Sequence, residues 1–115
     1  SLQKRLPKSP RILEALIAVY SIQNRNEESL HLAQRLITML PHEPDTWYLL
    51  GSCYAAAGYS NEAIAALTKA LNMGYSDIEW MQQDEDLLSL RADPRFQKLL
   101  NKARQKTPYQ NTTLL

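Results

Sequence analysis

Apolar residues recur at three- and four-residue spacing in four successive stretches of the chain, a pattern that predicts four amphipathic helices. The clearest face belongs to the third stretch, where Trp47, Leu50 and Tyr54 share one side. Gly58 follows in the position of a left-handed helix cap, because glycine adopts that backbone without a steric penalty. Since the break before the fourth stretch is so short, we expect these two helices to fold back on each other as an antiparallel hairpin.

The same apolar pattern occurs twice without a gap, and its repeat period is about 34 residues. One period before the face of the third stretch stand its counterparts Leu13, Leu16 and Tyr20. A further step back by the same period places Pro7 in line with Pro41. We therefore expect residues 1–8 to be the remnant of an upstream repeat, and the chain to be the end of a longer array.

Two motifs of the second repeat resemble the tetratricopeptide repeat, namely Trp47-x2-Leu50-Gly51-x2-Tyr54 and Ala63-x3-Leu67. The resemblance implies an all-α fold, a right-handed solenoid of antiparallel helix hairpins, with repeats at residues 9–43 and 44–77. Leu67 and Tyr75 depart from the family pattern, which usually has an aromatic residue and a proline at these positions.

The segment that follows the second repeat differs from both repeats. Residues 84–100, DEDLLSLRADPRFQKLL, resemble the closing segment found after the last repeat of many tetratricopeptide proteins. A repeat array needs such an end, because its last repeat otherwise exposes an apolar face. We therefore expect capping helices over residues 76–106, followed by a flexible tail at 107–115.

Composition and charge exclude several functional classes. The formal net charge is +1, from 13 basic and 12 acidic residues, which argues against a surface for nucleic acid or an anionic membrane. The apolar runs are too short to span a membrane. Cys53 is the single cysteine, and we expect a buried, inert thiol in a cytoplasmic protein. His31 and His42 have no second ligand at metal-binding spacing. The sequence predicts no cofactor, no metal and no catalytic site.

The resemblance also implies a concave ligand groove, lined by the first helix of each hairpin. Mapped onto this sequence, the groove residues are Arg11, Glu14, Ala18, Ser21, Asp45, Tyr48, Ser52 and Ala55. We expect Tyr48 to be the anchor, because a tyrosine among small residues offers a large contact area and one hydroxyl. Relatives that hold the acidic tails of heat-shock chaperones use Lys and Asn at positions occupied here by Glu14, Ala18, Tyr48 and Ser52, so we expect no clamp of that kind.

The expected function is a non-catalytic protein–protein interaction module, a scaffold or adaptor that binds a peptide or helix in this groove. Its partner is then another protein or peptide, and not nucleic acid or a membrane. Alternatives remain open. The chain could be a structural end piece that self-associates through an exposed repeat face, or the docking or regulatory domain of a larger enzyme. With an export signal upstream, it could instead capture peptides during secretion or envelope assembly.

Overall fold

The computed structural model describes residues 8–105, which form six α-helices and one 3₁₀ helix. In chain order the α-helices are α1 Pro10–Ile22, α2 Asn26–Met39, α3 Pro44–Ala56, α4 Ser60–Asn72, α5 Ile78–Gln83 and α6 Pro94–Gln105. The 3₁₀ helix, Glu85–Leu90, lies between α5 and α6. The all-α prediction is confirmed for this part of the chain. The predictions for residues 1–7 and 107–115 lie outside the described residues.

The repeat period of the sequence reappears in the placement of the helices. α3 begins at Pro44, one period after the start of α1 at Pro10, and α4 begins one period after the start of α2. The turns inside the hairpins match as well, because Asn24 and Gly58 both have a positive φ, of 60° and 93°. α1 packs on α2, α3 packs on α4, and α2 packs on α3. The chain from Pro10 to Asn72 is therefore two helical hairpins of the same construction, placed side by side.

α3 and α4 pack closely at Gly51. A Cβ atom at this position would lie 2.8 Å from Cγ and Cδ2 of Leu67, which is fully buried. Any larger residue would therefore force Leu67 to shift, which offsets the cost of about 1 kcal/mol that glycine inside a helix carries relative to alanine. The close contact explains why a glycine occurs in the middle of α3.

Two groups of buried side chains form the core. One group fills the first hairpin and its contact with α3, around Leu13, Ile17 and Leu36. The other lies between the second hairpin and the last helices, around Leu67 and Phe96. Trp47 and Tyr54 of α3 pack against both groups. α3 is therefore the central helix, in contact with the first hairpin on one side and with α4 and the 3₁₀ helix on the other.

Residues 78–105 close the second hairpin. The 3₁₀ helix packs against α3, and α6 packs against α4 and α5. The side chains that enter the core from these elements are Met81, Leu87, Leu90, Phe96 and Leu100, none of them more than 3% exposed. None of the helices within residues 8–105 is long and apolar enough to cross a membrane.

Candidate functional site

The α1 half of the predicted groove is open to solvent. Arg11, Glu14 and Ala18 are exposed on one face of α1. Ser21, one turn further along, is half-buried, and its hydroxyl hydrogen-bonds to the hydroxyl of Ser29, with 2.9 Å between the oxygens. The structure therefore places these four residues along one side of α1, and three of them are free to meet a partner.

The α3 half of the predicted groove is covered by the chain itself. Tyr48, Ser52 and Ala55 are only 7%, 3% and 2% exposed, whereas Asp45 at the start of α3 remains exposed. The expectation that Tyr48 is a solvent-accessible anchor is wrong. The physical reason is the 3₁₀ helix, which lies against this face of α3 and buries it.

Tyr48 is held in place by one polar neighbour, Asp84, and one aromatic neighbour, Tyr75. Its hydroxyl donates a 2.5 Å hydrogen bond to the carboxylate of Asp84, which is itself 5% exposed. Its ring stacks on Tyr75, with 4.4 Å between the centroids and 2° between the planes. Burial, and then the Asp84 carboxylate, raise the pKa of Tyr48 far above its ordinary value. The phenol is therefore a fixed, neutral donor inside the protein.

Asp84 joins the Tyr48–Tyr75 pair to the start of the 3₁₀ helix. Its carboxylate also accepts a 3.0 Å hydrogen bond from the backbone N–H of Asp86, so Asp84 is the N-cap of the 3₁₀ helix. Further along, the hydroxyl of Ser89 donates to the backbone carbonyl of Ala55 at 3.2 Å. Leu87 and Leu90 complete the contact from the core side. The closing segment thus occupies the surface where the sequence predicts a ligand.

The remaining exposed apolar surface of α1 lies beside its groove face. Ile12, Val19 and Ile22 are 52%, 47% and 82% exposed, and their spacing puts them on one stripe. Cys53 of α3 is the equivalent of Val19, one repeat period later. Cys53 is only 4% exposed, and it belongs to the core group of the first hairpin. The stripe on α1, which we call the α1 edge (Ile12, Val19, Ile22), is therefore the surface that on α3 is covered by the preceding hairpin.

No protein-family model, no curated protein and no solved structure matches this sequence. The interpretation of the surface therefore rests on its own geometry.

Cys53 lies at the end of a buried string of polar groups. The Ser29 hydroxyl donates to the backbone carbonyl of Ile17 at 3.2 Å, so Ser21 is the donor in its bond to Ser29. The Cys53 sulfur lies 3.6 Å from the same Ser29 oxygen. Burial raises the pKa of the thiol to about 11. Since the thiolate is the reactive form, this cysteine is inert near neutral pH, and the predicted buried position is confirmed.

Histidine and carboxylate groups do not converge on a metal-binding centre in the described part of the chain. Within residues 8–105, no three His, Cys, Asp or Glu side chains are placed to hold a metal ion. His31 on α2 and His42 in the loop before α3 are both exposed. The acidic run at positions 84–86 acts locally: Asp84 caps the 3₁₀ helix, and burial and the neighbouring Asp84 raise the pKa of Asp86.

Proposed function

We propose that this chain is a non-catalytic protein–protein interaction module of the tetratricopeptide kind, which binds a helix or peptide of a partner on α1. The observation that carries the proposal is the α1 edge, with three large apolar side chains roughly half or more exposed on one helix. Contiguous apolar surface with a polar border is typical of interaction sites. The right-handed solenoid and the cytoplasmic location belong to the same proposal.

The border of the α1 edge has the mixed polarity that a partner helix would meet. Arg11 and Glu14 lie on the neighbouring groove face, with Ala18 between them and the C-terminal end of α1. An amphipathic partner helix can place its apolar side on Val19 and Ile22 and its charged side against these two residues. Ala18 offers the small side chain that close approach between two helices requires.

The burial of the inner face of α3 reduces the number of groove residues that a partner can reach. With Tyr48, Ser52 and Ala55 under the 3₁₀ helix, the groove available to a partner is the α1 part alone. The partner therefore gains its affinity from apolar contact at the α1 edge and not from a tyrosine anchor. Against a carboxylate-rich peptide, Glu14 would be repulsive, as expected from the sequence.

A second candidate has its own observation. The face equivalent to the α1 edge is covered on α3 by the preceding hairpin, as Cys53 shows. The chain is, on this alternative, the structural end piece of a longer repeat protein, in which a preceding hairpin or a second copy covers the α1 edge. A docking or regulatory domain of a larger enzyme would present the same surface.

The test compares three baits in affinity capture from a lysate of the source cells. These are the unaltered chain, Val19→Asp on the α1 edge, and Leu88→Asp as a matched control. Leu88 is 60% exposed on the 3₁₀ helix, so its substitution adds the same charge away from α1. A partner that is lost with Val19→Asp and kept with Leu88→Asp supports the interaction module. A partner that both variants retain contradicts it.

Sedimentation of the same three proteins over a range of concentrations separates the two candidates. Association of the unaltered chain with itself, abolished by Val19→Asp and kept by Leu88→Asp, favours the structural end piece. A monomer at all concentrations, together with a captured partner that needs Val19, favours the interaction module.

A further inference from the structure

The first hairpin contains a small site that holds a cation. The guanidinium of Arg25 lies over the ring of Tyr20, 4.5 Å from its centroid. The same guanidinium donates from Nε and Nη2 to Oε2 of Glu28, at 3.0 and 2.8 Å. An aromatic face and a carboxylate thus hold one guanidinium between them, a combination that is favourable by cation–π attraction and by charge-assisted hydrogen bonding.

The second hairpin repeats this site without its cation. One repeat period after Tyr20, Arg25 and Glu28 stand Tyr54, Tyr59 and Glu62. The ring and the carboxylate are retained, and a tyrosine replaces the arginine. Arg25 and Tyr59 hold the same structural position, since each is the N-cap residue of the second helix of its hairpin. Within residues 8–105, Glu62 has no lysine or arginine partner in an ion pair.

A pocket of about 320 Å³ lies at this place in the second hairpin. Its walls include Tyr54, Tyr59 and Glu62, together with Glu27, His31 and Gln34 of α2. The two tyrosine rings meet edge to face, 6.2 Å apart at 79°, and so present two aromatic surfaces instead of one. In the described part of the chain, no lysine or arginine lines the pocket, and His31 is the wall residue that can carry a positive charge.

The pocket has two carboxylates, Glu27 and Glu62, against the single imidazole of His31, so a negative charge is left uncompensated. The Tyr59 hydroxyl donates to Oε1 of Glu27 at 3.1 Å, and the Gln34 amide donates to the Tyr54 hydroxyl at 3.3 Å. These bonds fix the two rings but neutralise neither Glu27 nor Glu62. The hydrogen bond to Glu27 and the charge of Glu27, followed by burial and the charge of Glu62, raise the pKa of Tyr59.

We propose that this pocket binds a guanidinium group, presented by an arginine side chain of a partner protein. The guanidinium would lie against the tyrosine rings and donate to Glu62, as Arg25 does to Tyr20 and Glu28 within the first hairpin. Glu27 adds a second carboxylate that the first site lacks. The pocket is lined by α2, the end of α3 and the start of α4 and shares no residue with the α1 edge, so this proposal is independent of the proposed function.

The test is a titration of the isotope-labelled protein, followed by backbone amide NMR shifts. The probe is acetyl-Ala-Arg-Ala-amide, and the control peptide carries citrulline, which has nearly the same shape and no charge. We expect saturable shifts confined to residues 27–34 and 54–62, and binding about tenfold weaker for the citrulline peptide, equivalent to the loss of about 1.4 kcal/mol. Shifts spread evenly over the protein surface, or equal binding of the two peptides, would overturn the proposal.

Three variants make the test specific to the pocket. Glu62→Gln should weaken binding of the arginine peptide at least about fivefold, while Glu79→Gln, the same change at an exposed site on α5, should leave it unaltered. Tyr59→Arg should abolish binding, because it restores the internal cation found in the first hairpin. Since all three sites are exposed, helical circular dichroism should be unchanged. Full binding by Glu62→Gln or by Tyr59→Arg would contradict the assignment.

Discussion

The Tyr48 hydroxyl and the Asp84 carboxylate, 36 residues apart in sequence, share a 2.5 Å hydrogen bond in the core. The bond joins the central helix α3 to the start of the 3₁₀ helix. Stacking of Tyr75 on the Tyr48 ring completes the cluster from the loop after α4. This cluster is what turns a predicted ligand-binding face into an internal interface.

Removing the Tyr48 hydroxyl should destabilise the protein. Tyr48→Phe keeps the ring and its stacking but leaves the buried Asp84 carboxylate without one of its donors, at an expected loss of about 1–3 kcal/mol in the free energy of unfolding. Urea denaturation measures the loss. Tyr59→Phe is the matched control, since that hydroxyl is exposed and should change stability by less than about 0.5 kcal/mol. Equal effects of the two variants would show that the Tyr48–Asp84 bond contributes little.

Stability should fall at alkaline pH because of the buried Tyr48 and the half-buried Tyr75. In the folded protein the pKa of Tyr75 is raised to about 12, by burial first and then by carboxylates including Asp77, and the pKa of Tyr48 is raised further. A tyrosine in the unfolded chain loses its proton near pH 10. Above that pH the unfolded state binds fewer protons than the folded state, so the free energy of unfolding decreases as pH rises.

The slope of that decrease gives the measurement. Between about pH 10 and pH 12, each such tyrosine should contribute a loss approaching about 1.4 kcal/mol per pH unit, while below pH 9 the tyrosine contribution stays constant. Urea denaturation at several pH values, on the unaltered chain and on Tyr48→Phe, isolates one group. The variant should show the shallower alkaline slope. The same slope in both proteins would mean that Tyr48 titrates normally.

Gly51→Ala should destabilise the contact between α3 and α4. The added Cβ would lie 2.8 Å from side-chain atoms of Leu67, so overpacking of about 1–3 kcal/mol should exceed the gain of about 1 kcal/mol in helix propensity. Thermal or urea unfolding measures the net loss. In a Leu67→Ala background the same substitution should become neutral or stabilising. If the cost persists in that background, the cause is not the Leu67 contact.

Cys53 should react with thiol reagents only when the protein opens. Its pKa of about 11 and its burial leave about one thiolate in a thousand at pH 8, and that one is shielded from solvent. Labelling with a disulfide reagent should therefore be slow in buffer and rapid in denaturant, and its rate should follow global unfolding. Fast labelling of the folded protein, at the rate of a free peptide thiol, would contradict the buried position.

Local signals were sufficient to predict the helices from the sequence. Pro44 begins α3, because proline fixes φ at a value that suits the first turn of a helix. Gly58 forms the left-handed turn after α3, because glycine adopts a positive φ without a steric penalty. The repeat period is visible in the structure because the same helix-start and turn signals occur twice in the sequence, 34 residues apart. The role of Gly51 could also be inferred, since a glycine inside a helix suggests a close contact.

The candidate site was predicted only in part. The resemblance to the repeat family implies that Arg11, Glu14 and Tyr48 lie on corresponding faces of α1 and α3, and in the structure the first two are exposed. Spacing carries no information about which distant segment covers a face, so the burial of Tyr48 was missed. A signal existed in the run that follows Asp84, where leucines at positions 87 and 90 are spaced to bury one side of a short helix.

By itself the sequence determined which residues are helical, where the chain turns and which side of each helix is apolar, because these properties depend on neighbours within about four residues. Only the tertiary structure decided which faces are covered and which are left open. The 3₁₀ helix closes the inner face of α3 around Tyr48 and Asp84, while the α1 edge and the pocket beside Glu62 stay accessible. Those outcomes depend on contacts between segments far apart in the chain, such as Tyr48 with Asp84, which no local pattern specifies.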